Sequence, residues 1–446
     1  MGYFTSKSAR SICSLKHISI TAAIISSAGY ATYQLREQNA IQLDQPNTVY
    51  PYPSKVRLPP KDSESINKQL REFQKTVYVN RDGIARYDFN QVPSNDPCED
   101  DHVESVSKEI DDGNWYFWGV FDGHSGWNTS MYLRQHLVPA VVDELRETAL
   151  KVRESKACPS PLSYERSLCD AFQKLDHRIV HEHVSSVFKN PKSLQNAASL
   201  LLPAISGSCA LLTAYSAKSK TLQVACTGDS RAVLGERTSG GIWNAVPLSR
   251  DQTGANPDEA ARLEVEHPGE IVLRNNRILG RLMPSRAFGD ARFKWSRQVS
   301  ERLHKEYFSA VPIPVKSPPY VTAVPEVETI KVDSKKHKFL IMASDGLWDT
   351  MSSERAVELV GQWIDSEFAE NHASENTSPS TFNPLKWFHK TLPVVDGNAA
   401  THLIRNALGR KDEMVSALLT LTYPLSRRYR DDLTVTVIFF EENERT

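Results

Sequence analysis

Short apolar runs alternate along the chain with longer segments in which apolar residues recur every three or four positions. A short run of apolar, β-branched and aromatic residues bounded by turn-forming residues predicts a strand. The run before Asp122 and Gly123 is aromatic and apolar, which predicts a buried strand that leads into a turn. Three runs between residues 208 and 234 are separated by Ser, Lys, Gly and Asp, so they predict an antiparallel meander. The predicted strands are 115–121, 208–215, 221–226, 232–234, 339–343 and 433–440.

The segments with helical spacing predict amphipathic helices whose apolar faces pack against a core. Helices are predicted at 164–187 and 353–368. A third begins at Asn256 and Pro257, because Asn caps helices well and proline is favoured at the first helical position. One large α/β domain without internal repeats follows from this pattern. The clearest apolar stripe consists of Met131, Leu133, Leu137, Val141 and Leu145.

Proline content and polarity mark the limits of that domain. Residues 41–62 contain five prolines, which fix φ and disfavour helix in the preceding residue, so this segment predicts an extended tether. The folded domain is expected over residues 63–446. Two segments, 291–320 and 367–398, are expected to be insertions, and the polarity of the second favours a mobile flap.

The first forty residues, 1–40, are expected to form a mitochondrial targeting segment with a short hydrophobic stretch. Residues 1–36 are rich in Ser, include four Lys or Arg and contain no Asp or Glu, which is typical of a mitochondrial presequence. The apolar stretch at 18–31 is shorter than the roughly 20 residues that a membrane-spanning helix needs. Three interpretations stay open: a bipartite signal that arrests in the inner mitochondrial membrane, a secretory signal, and a flexible leader. Gly2 followed by Ser6 also fits the N-myristoylation pattern.

Composition argues against several classes of function. The formal net charge is -1 and the isoelectric point is about 6.9, so the chain lacks the basic excess with which nucleic-acid binders hold phosphates. The six cysteines include no C-x-x-C pair, which argues against structural zinc and a disulfide framework. None of them begins a C-x₅-R sequence, which argues against a phosphatase with a covalent cysteine nucleophile.

Aspartates fall at the ends of predicted strands or in the turns that join them, and strand ends converge in a sandwich. Carboxylates without an accompanying Cys or His cluster favour hard cations such as Mg²⁺ or Mn²⁺. Two such ions, roughly 3.5–4 Å apart, activate water for hydrolysis at a phosphoryl group. Taken singly, each aspartate is more typical of an ordinary turn, because Asp-Gly is a common turn dipeptide. The aspartates are Asp100, Asp122, Asp229, Asp345, Asp349 and Asp431.

Four separated motifs change that interpretation when they are taken together. They are FDGHSG at 121–126, TGDSR at 227–231, ASDGLWD at 343–349 and DDLTVTV at 431–437. In this order and spacing, with SRAFGD at 285–290 between the second and third, they resemble the type 2C family of metal-dependent protein serine/threonine phosphatases. The flanking sequences LMPSRAFGDARFKW and PPYVTAVPEV look like the pyruvate dehydrogenase phosphatase branch of that family. A mitochondrial location agrees with this branch.

The resemblance implies that two metal ions bind among the matching residues, with Asp122 and Gly123 in contact with both. Asp229 and Asp349, together with Asp345, match a looser position for a weak third ion. Structural turn and cap carboxylates explain Asp229 and Asp349 equally well. The implied ligands of the first two ions are Asp100, Asp122, the Gly123 carbonyl, Asp345 and Asp431.

His124 is implied to be the general acid of the reaction. A seryl or threonyl alkoxide is a poor leaving group, and a histidine that titrates near neutrality can donate a proton to it. The alternative is a capping or packing imidazole at a helix start.

One departure from the family pattern concerns phosphate binding. The family commonly has an arginine five residues before its first aspartate ligand, and this chain has Asn95, which offers no bidentate cationic contact. Phosphate binding would therefore depend more on the metals and their waters. Arg286 is a candidate substitute, although its motif favours a structural role.

Together these features predict an α+β fold, an α-β-β-α sandwich of two antiparallel sheets flanked by helices, with the metals at one sheet edge. The expected reaction is hydrolysis of phosphoserine or phosphothreonine in a mitochondrial protein by metal-activated water, without a phosphoenzyme. The expected partner is a phosphoprotein, with the pyruvate dehydrogenase complex as the first candidate, and no nucleic acid is expected. Two alternatives stay open: a catalytically silent scaffold or regulator, and a hydrolase of small phosphorylated molecules.

Overall fold

The computed structural model describes residues 61–155, 161–190, 194–307, 309–375 and 396–441. The predicted targeting segment 1–40 with Gly2, the tether up to residue 60, and most of the predicted insertion at 367–398 lie outside the described residues. Within the described ranges, no helix is both long and apolar enough to cross a membrane.

All six predicted runs form strands, although some bounds shift, and the structure adds others that were not predicted, including a strand of nine residues at Ile84–Val92. The runs at 115–121 and 433–440 form strands with those bounds, and the run at 339–343 forms a strand that begins two residues earlier. Numbered in chain order, the strands of the described residues are β1 (Lys75–Arg81), β2 (Ile84–Val92), β3 (Asp101–Ser107), β4 (Trp115–Phe121), β5 (Gly123–His124), β6 (Gly207–Ser208), β7 (Ala210–Ser216), β8 (Thr221–Thr227), β9 (Arg231–Arg237), β10 (Trp243–Pro247), β11 (Leu273–Arg274), β12 (Arg277–Ile278), β13 (Phe288–Gly289), β14 (Glu326–Lys331), β15 (His337–Ala343) and β16 (Leu433–Phe440).

These strands form two large antiparallel sheets. One has six strands in the order β1-β2-β16-β15-β9-β10, and the other has five in the order β14-β8-β7-β4-β3. The predicted meander is present as β7 and β8, whereas β9 belongs to the six-stranded sheet. The chain between them therefore crosses from one sheet to the other near Asp229. A small sheet, β13-β6-β5, and the hairpin β11-β12 complete the strands of the described residues.

The side chains of β4 show why its sequence is apolar at every position. Tyr116 and Trp118 belong to the same buried cluster as Leu340 of β15, so they fill the space between the two sheets. Phe117 and Phe121 point the other way and pack against helices. Successive side chains of a strand face opposite sides, so a strand covered on both sides needs apolar residues throughout.

Helices cover the outer face of each sheet, and the order helix, sheet, sheet, helix confirms the predicted α-β-β-α sandwich. A π-helical turn, Arg178–Glu182, continues the helix before it into the helix after it. In chain order the helices of the described residues are α1 (Ser63–Leu70), α2 (Asn128–Ser155), α3 (Pro161–His177), α4 (His183–Lys189), α5 (Leu194–Ile205), α6 (Pro257–Glu266), α7 (Arg297–Tyr307), α8 (Asp345–Trp348), α9 (Ser353–Glu375), α10 (Ala399–Ala407) and α11 (Asp412–Thr420).

The predicted helices are present, but one residue that was predicted to face the core is exposed. The Asn256 side chain caps α6 by accepting a hydrogen bond from the Asp258 N–H at 3.0 Å, as expected. In α2, Leu133 and Leu137 are fully buried, but Met131 is 36% exposed and does not join the core. Residues two positions apart lie on opposite sides of a helix, so Met131 cannot share a face with Leu133.

Candidate metal centre

Three strand ends bring three aspartates together between the two sheets. Asp122 directly follows β4, Asp229 follows β8, and Asp345 follows β15 as the first residue of α8. One carboxylate oxygen of each lies within 4.8 Å of the others. The Asp345 N–H also donates a hydrogen bond to Asp122 Oδ2 at 3.4 Å. Strands of both sheets therefore contribute to the same group of carboxylates.

The electrostatics of this group favour a bound cation. Burial raises the pKa of Asp122 well above its usual value, and the charges of Asp345, Asp100 and Asp229 raise it further. Burial and the charge of Asp345 likewise raise the pKa of Asp229 to about 7. Such carboxylates repel one another when ionised, and a divalent cation removes that repulsion. Because all the donors are carboxylate oxygens, the group fits a hard divalent cation.

Two further predicted ligands lie beside this group. Asp100 is buried directly before β3, and its Oδ2 accepts a hydrogen bond from Thr434 Oγ1 at 2.7 Å. Burial and the charge of Asp432 raise the pKa of Asp100 well above its usual value. Asp431 directs its carboxylate to the Arg427 guanidinium and to the Asp432 N–H instead. The structure thus assembles the predicted ligands only in part.

The remaining predicted residues differ in how closely they approach. The Asp349 N–H donates to the Asp345 carbonyl at 2.8 Å, one turn along, and the Asp349 side chain is exposed. Gly123 lies in β5, where the Glu99 carbonyl occupies the place that a Cβ would take. Only glycine lets these two backbone segments approach so closely, which accounts for its place after Asp122.

His124 makes a close contact that sequence reasoning missed. Its Nε2 lies 2.5 Å from Oδ2 of Asp290, which is the last residue of the SRAFGD motif. Burial lowers the pKa of His124, but the charge and hydrogen bond of Asp290 outweigh it, so the net pKa is raised. The motif was visible in the sequence, but nothing local indicated that its aspartate reaches His124.

The comparison with known proteins agrees with this geometry. Residues 88–382 match the family model described as Protein phosphatase 2C. The chain belongs to this family. It is therefore a metal-dependent protein serine/threonine phosphatase.

Several protein phosphatase 2C relatives match over most of their length. A protein phosphatase 2C homolog of Schizosaccharomyces pombe is 66% identical, over 99% of both chains. The mitochondrial [pyruvate dehydrogenase [acetyl-transferring]]-phosphatase 1 of Saccharomyces cerevisiae is 39% identical, over 86% of this chain and 73% of that protein. The crystal structure of a serine-threonine phosphatase 2C from Toxoplasma gondii shares the fold, with a TM-score of 0.51 and 20% identity over 83% of this chain and 98% of that one.

Asn95 stands at the position where the resemblance implies an arginine, and it is part of a buried hydrogen-bond network. Its side-chain amide donates to Oε2 of Glu99 and to Oδ2 of Asp432, both at 3.0 Å. Asp432 also accepts hydrogen bonds from the backbone N–H groups of Ser94, Asn95 and Glu99. Burial raises the pKa of Asp432, yet these hydrogen bonds lower it more, so its net pKa is lowered. Asn95 thus holds the segment that leads into Asp100.

Arg286 makes hydrogen bonds to other parts of the same chain. Its Nε and Nη2 donate to Oε1 of Glu259 at 3.0 and 2.5 Å, and its Nη1 donates to the Val324 carbonyl at 3.0 Å. The guanidinium is buried by these partners. Arg286 therefore joins α6 to the segment before β14.

Proposed function

We propose that this phosphatase removes phosphate from serine or threonine residues of a mitochondrial protein, with pyruvate dehydrogenase as the first candidate substrate. The convergence of Asp122, Asp229 and Asp345 is the observation that carries the proposal. The choice of substrate is supported by relatives that are named mitochondrial pyruvate dehydrogenase phosphatases. The acid-poor segment 1–36 supports the mitochondrial location.

The proposed cofactors are two Mg²⁺ or Mn²⁺ ions, with a weaker third beside Asp229 and Asp349. When bound, such ions supply an activated water nucleophile and neutralise charge on the phosphoryl group. Asp431 is expected to leave Arg427 when it serves as a ligand. The proposed ligands of the two principal ions are Asp100, Asp122, the Gly123 carbonyl, Asp345 and Asp431.

His124 is proposed as the general acid that protonates the leaving seryl or threonyl oxygen. It directly follows Gly123 in β5, and the charges of Asp229 and Glu99 act on it. This position beside the clustered aspartates, together with a raised pKa that favours the protonated imidazole, supports the assignment.

The decisive experiment measures phosphate release from a phosphothreonine peptide and from phosphorylated pyruvate dehydrogenase, with Mg²⁺ and with chelator. We expect release only with the metal, and none from Asp345→Asn. Asp143→Asn is the matched control, because Asp143 lies on an exposed face of α2 and pairs only with Arg146 among the ion pairs of the described residues. A folded, metal-binding protein without activity on any phosphopeptide would support a scaffold instead. Turnover restricted to small phosphorylated molecules would support a metabolite hydrolase.

The division of the chain is proposed as a targeting segment at 1–40, a tether at 41–62 and a catalytic domain at 63–446. Contact with the inner mitochondrial membrane would then come from the first of these. Fusion of residues 1–62 to a fluorescent protein tests this division. We expect mitochondrial fluorescence, and diffuse fluorescence would contradict the targeting role.

A further inference from the structure

The small sheet β13-β6-β5 brings His124 and Asp290 together from distant parts of the chain. His124 ends β5, and Asp290 directly follows β13. Between them lies β6, which pairs with both neighbours through Gly207 and Ser208. The side chain of Asp290 is only 4% exposed, and that of His124 is 20% exposed. The pair therefore lies in the interior of the protein and is not a surface contact.

Gly207 shows how closely this pair is packed. A Cβ at that position would overlap both His124 Nε2 and Asp290 Oδ2. The hydrogen bond thus passes directly over the backbone of Gly207, which has no side chain. Any larger residue at position 207 would push His124 and Asp290 apart, because its Cβ would occupy the space that their hydrogen-bonded atoms fill.

The backbone of Asp290 is held in place by several contacts. Asp290 adopts the left-handed conformation with φ 47°, and its N–H donates to the Ser206 carbonyl at 2.9 Å. The preceding N–H, of Gly289, donates to Oδ1 of Asp176 at 3.0 Å. Asp176 in turn pairs with Lys294 Nζ at 2.7 Å. A largely buried ion pair therefore fixes the segment that carries Asp290, which leaves its carboxylate little freedom to move.

The orientation of the imidazole follows from this contact. A carboxylate accepts hydrogen bonds and does not donate them, so Nε2 of His124 carries the proton shared with Asp290. Nδ1 is then the nitrogen that remains to donate a proton elsewhere. We propose that Asp290 is a positioning residue, which holds His124 through Nε2 so that Nδ1 faces the leaving oxygen of the substrate. This inference rests on the proposed role of His124 as general acid.

Hydrolysis transfers one proton from His124 to the leaving oxygen. The bond between phosphorus and the seryl or threonyl oxygen breaks, and its electron pair stays on that oxygen, which takes the Nδ1 proton. The attacking water forms the new bond to phosphorus and releases a proton to solvent, and neutral His124 later regains one from solvent. Asp290 keeps its hydrogen bond to Nε2 throughout and gives up no proton.

The test uses leaving groups that differ in their need for a proton. A phosphothreonine peptide leaves as an alkoxide and needs the acid, whereas p-nitrophenyl phosphate leaves as a stable phenolate and does not. In the full chain with Mg²⁺, we expect Asp290→Gly to lower kcat for the peptide by about tenfold or more, with KM unchanged. Its kcat for p-nitrophenyl phosphate should stay within about twofold of wild type. Glycine also tolerates the left-handed backbone, so the fold is not strained.

Three further variants separate positioning from a general loss of structure. Asp290→Asn keeps the shape and one acceptor, so it should retain more peptide activity than Asp290→Gly. Gly207→Ala should reproduce the selective loss on the peptide. In a His124→Gln background, Asp290→Gly should cause no further loss.

Different outcomes would contradict the positioning role and the proposed function separately. Equal loss on both substrates, or additive loss in the His124→Gln background, would overturn the role of Asp290 while leaving His124 as the acid. A His124→Gln protein with no selective loss on the peptide would overturn both. A wild-type protein that hydrolyses neither substrate would reject the proposed function itself.

Discussion

Two groups of buried carboxylates in this molecule have opposite surroundings. Around Asp122, aspartates face one another, and burial together with their mutual repulsion raises the pKa of Asp122. Glu259 of α6 is also buried, but it accepts hydrogen bonds from Arg286, Arg262 and Ser285. Burial raises its pKa, and these partners outweigh that effect, so its pKa falls to about 2.

The difference distinguishes carboxylates that stabilise the fold through partners in the same chain from carboxylates that need a bound cation. Glu259 is neutralised by arginines of the same chain, so its site is complete in the folded protein. The group around Asp122 consists of carboxylates that face one another, and a bound cation would supply the counter-charge that they need. Burial alone is thus a poor guide to function, and the charge of the neighbouring side chains is a better one.

The largest expected effect comes from Asp122→Asn, which should act on activity and stability in opposite directions. Phosphate release from a phosphothreonine peptide should fall by about 10³-fold. This is the larger end of the loss in kcat that follows when one electrostatic contact in an active site is removed. With chelator present, the same variant should be more stable than wild type by about 1 kcal/mol, because it removes mutual repulsion. Urea unfolding measures the second effect. A less stable metal-free variant would contradict the repulsion.

The second expected effect is a loss of stability when Glu259 is substituted. Glu259→Gln removes the closest charged partner of the buried Arg286, whose remaining ion pair among the described residues is a longer one with Glu326. The free energy of unfolding should therefore fall by about 3–5 kcal/mol. Glu266→Gln is the matched control, since Glu266 lies on the exposed side of α6 and also pairs with Arg262. It should cost less than about 1 kcal/mol. Equal losses in urea unfolding for the two variants would show that Arg286 does not depend on Glu259.

The two sites also differ in how far they could be predicted from sequence. Asp122, Asp229 and Asp345 were identified because each follows a recognisable apolar run within a distinctive motif. Strands such as β4 were predicted because a strand buried on both sides is apolar at every position.

Partner choice could not be predicted in the same way. Asp290 lies 166 positions from His124, and Asp432 lies more than 330 positions from Asn95. Such contacts depend on which strand ends the folded sandwich brings together, and no local pattern encodes them. The buried face predicted for Met131 is wrong for a local reason. Met131 lies two positions before Leu133, and helical spacing already puts such residues on different faces.

A third effect is the stabilisation of the fold by bound Mg²⁺, which should depend on the aspartate cluster and not on Glu259. At a hundred times its Kd, Mg²⁺ should stabilise wild type by about 2.7 kcal/mol. The Glu259→Gln protein should gain the same amount, because its metal ligands are intact. Asp345→Asn should gain little. Urea unfolding with and without Mg²⁺ measures all three, and equal stabilisation of Asp345→Asn would place the bound ion elsewhere.

The smallest effect is the pH dependence of stability in the presence of chelator. Asp229 has a pKa of about 7 in the folded protein against an ordinary value of 3.8, so the folded state binds more protons than the unfolded state between those values. Its contribution to stability therefore falls as pH rises through this window. Glu259, with a pKa lowered to about 2 from 4.5, contributes fully above pH 4.5 and adds no slope there. From pH 5 to pH 8, wild type should lose more than about 1 kcal/mol relative to Asp229→Asn, the worth of one pKa unit. Urea unfolding at the two pH values measures this difference, and an unchanged difference would mean that Asp229 is already ionised at pH 5.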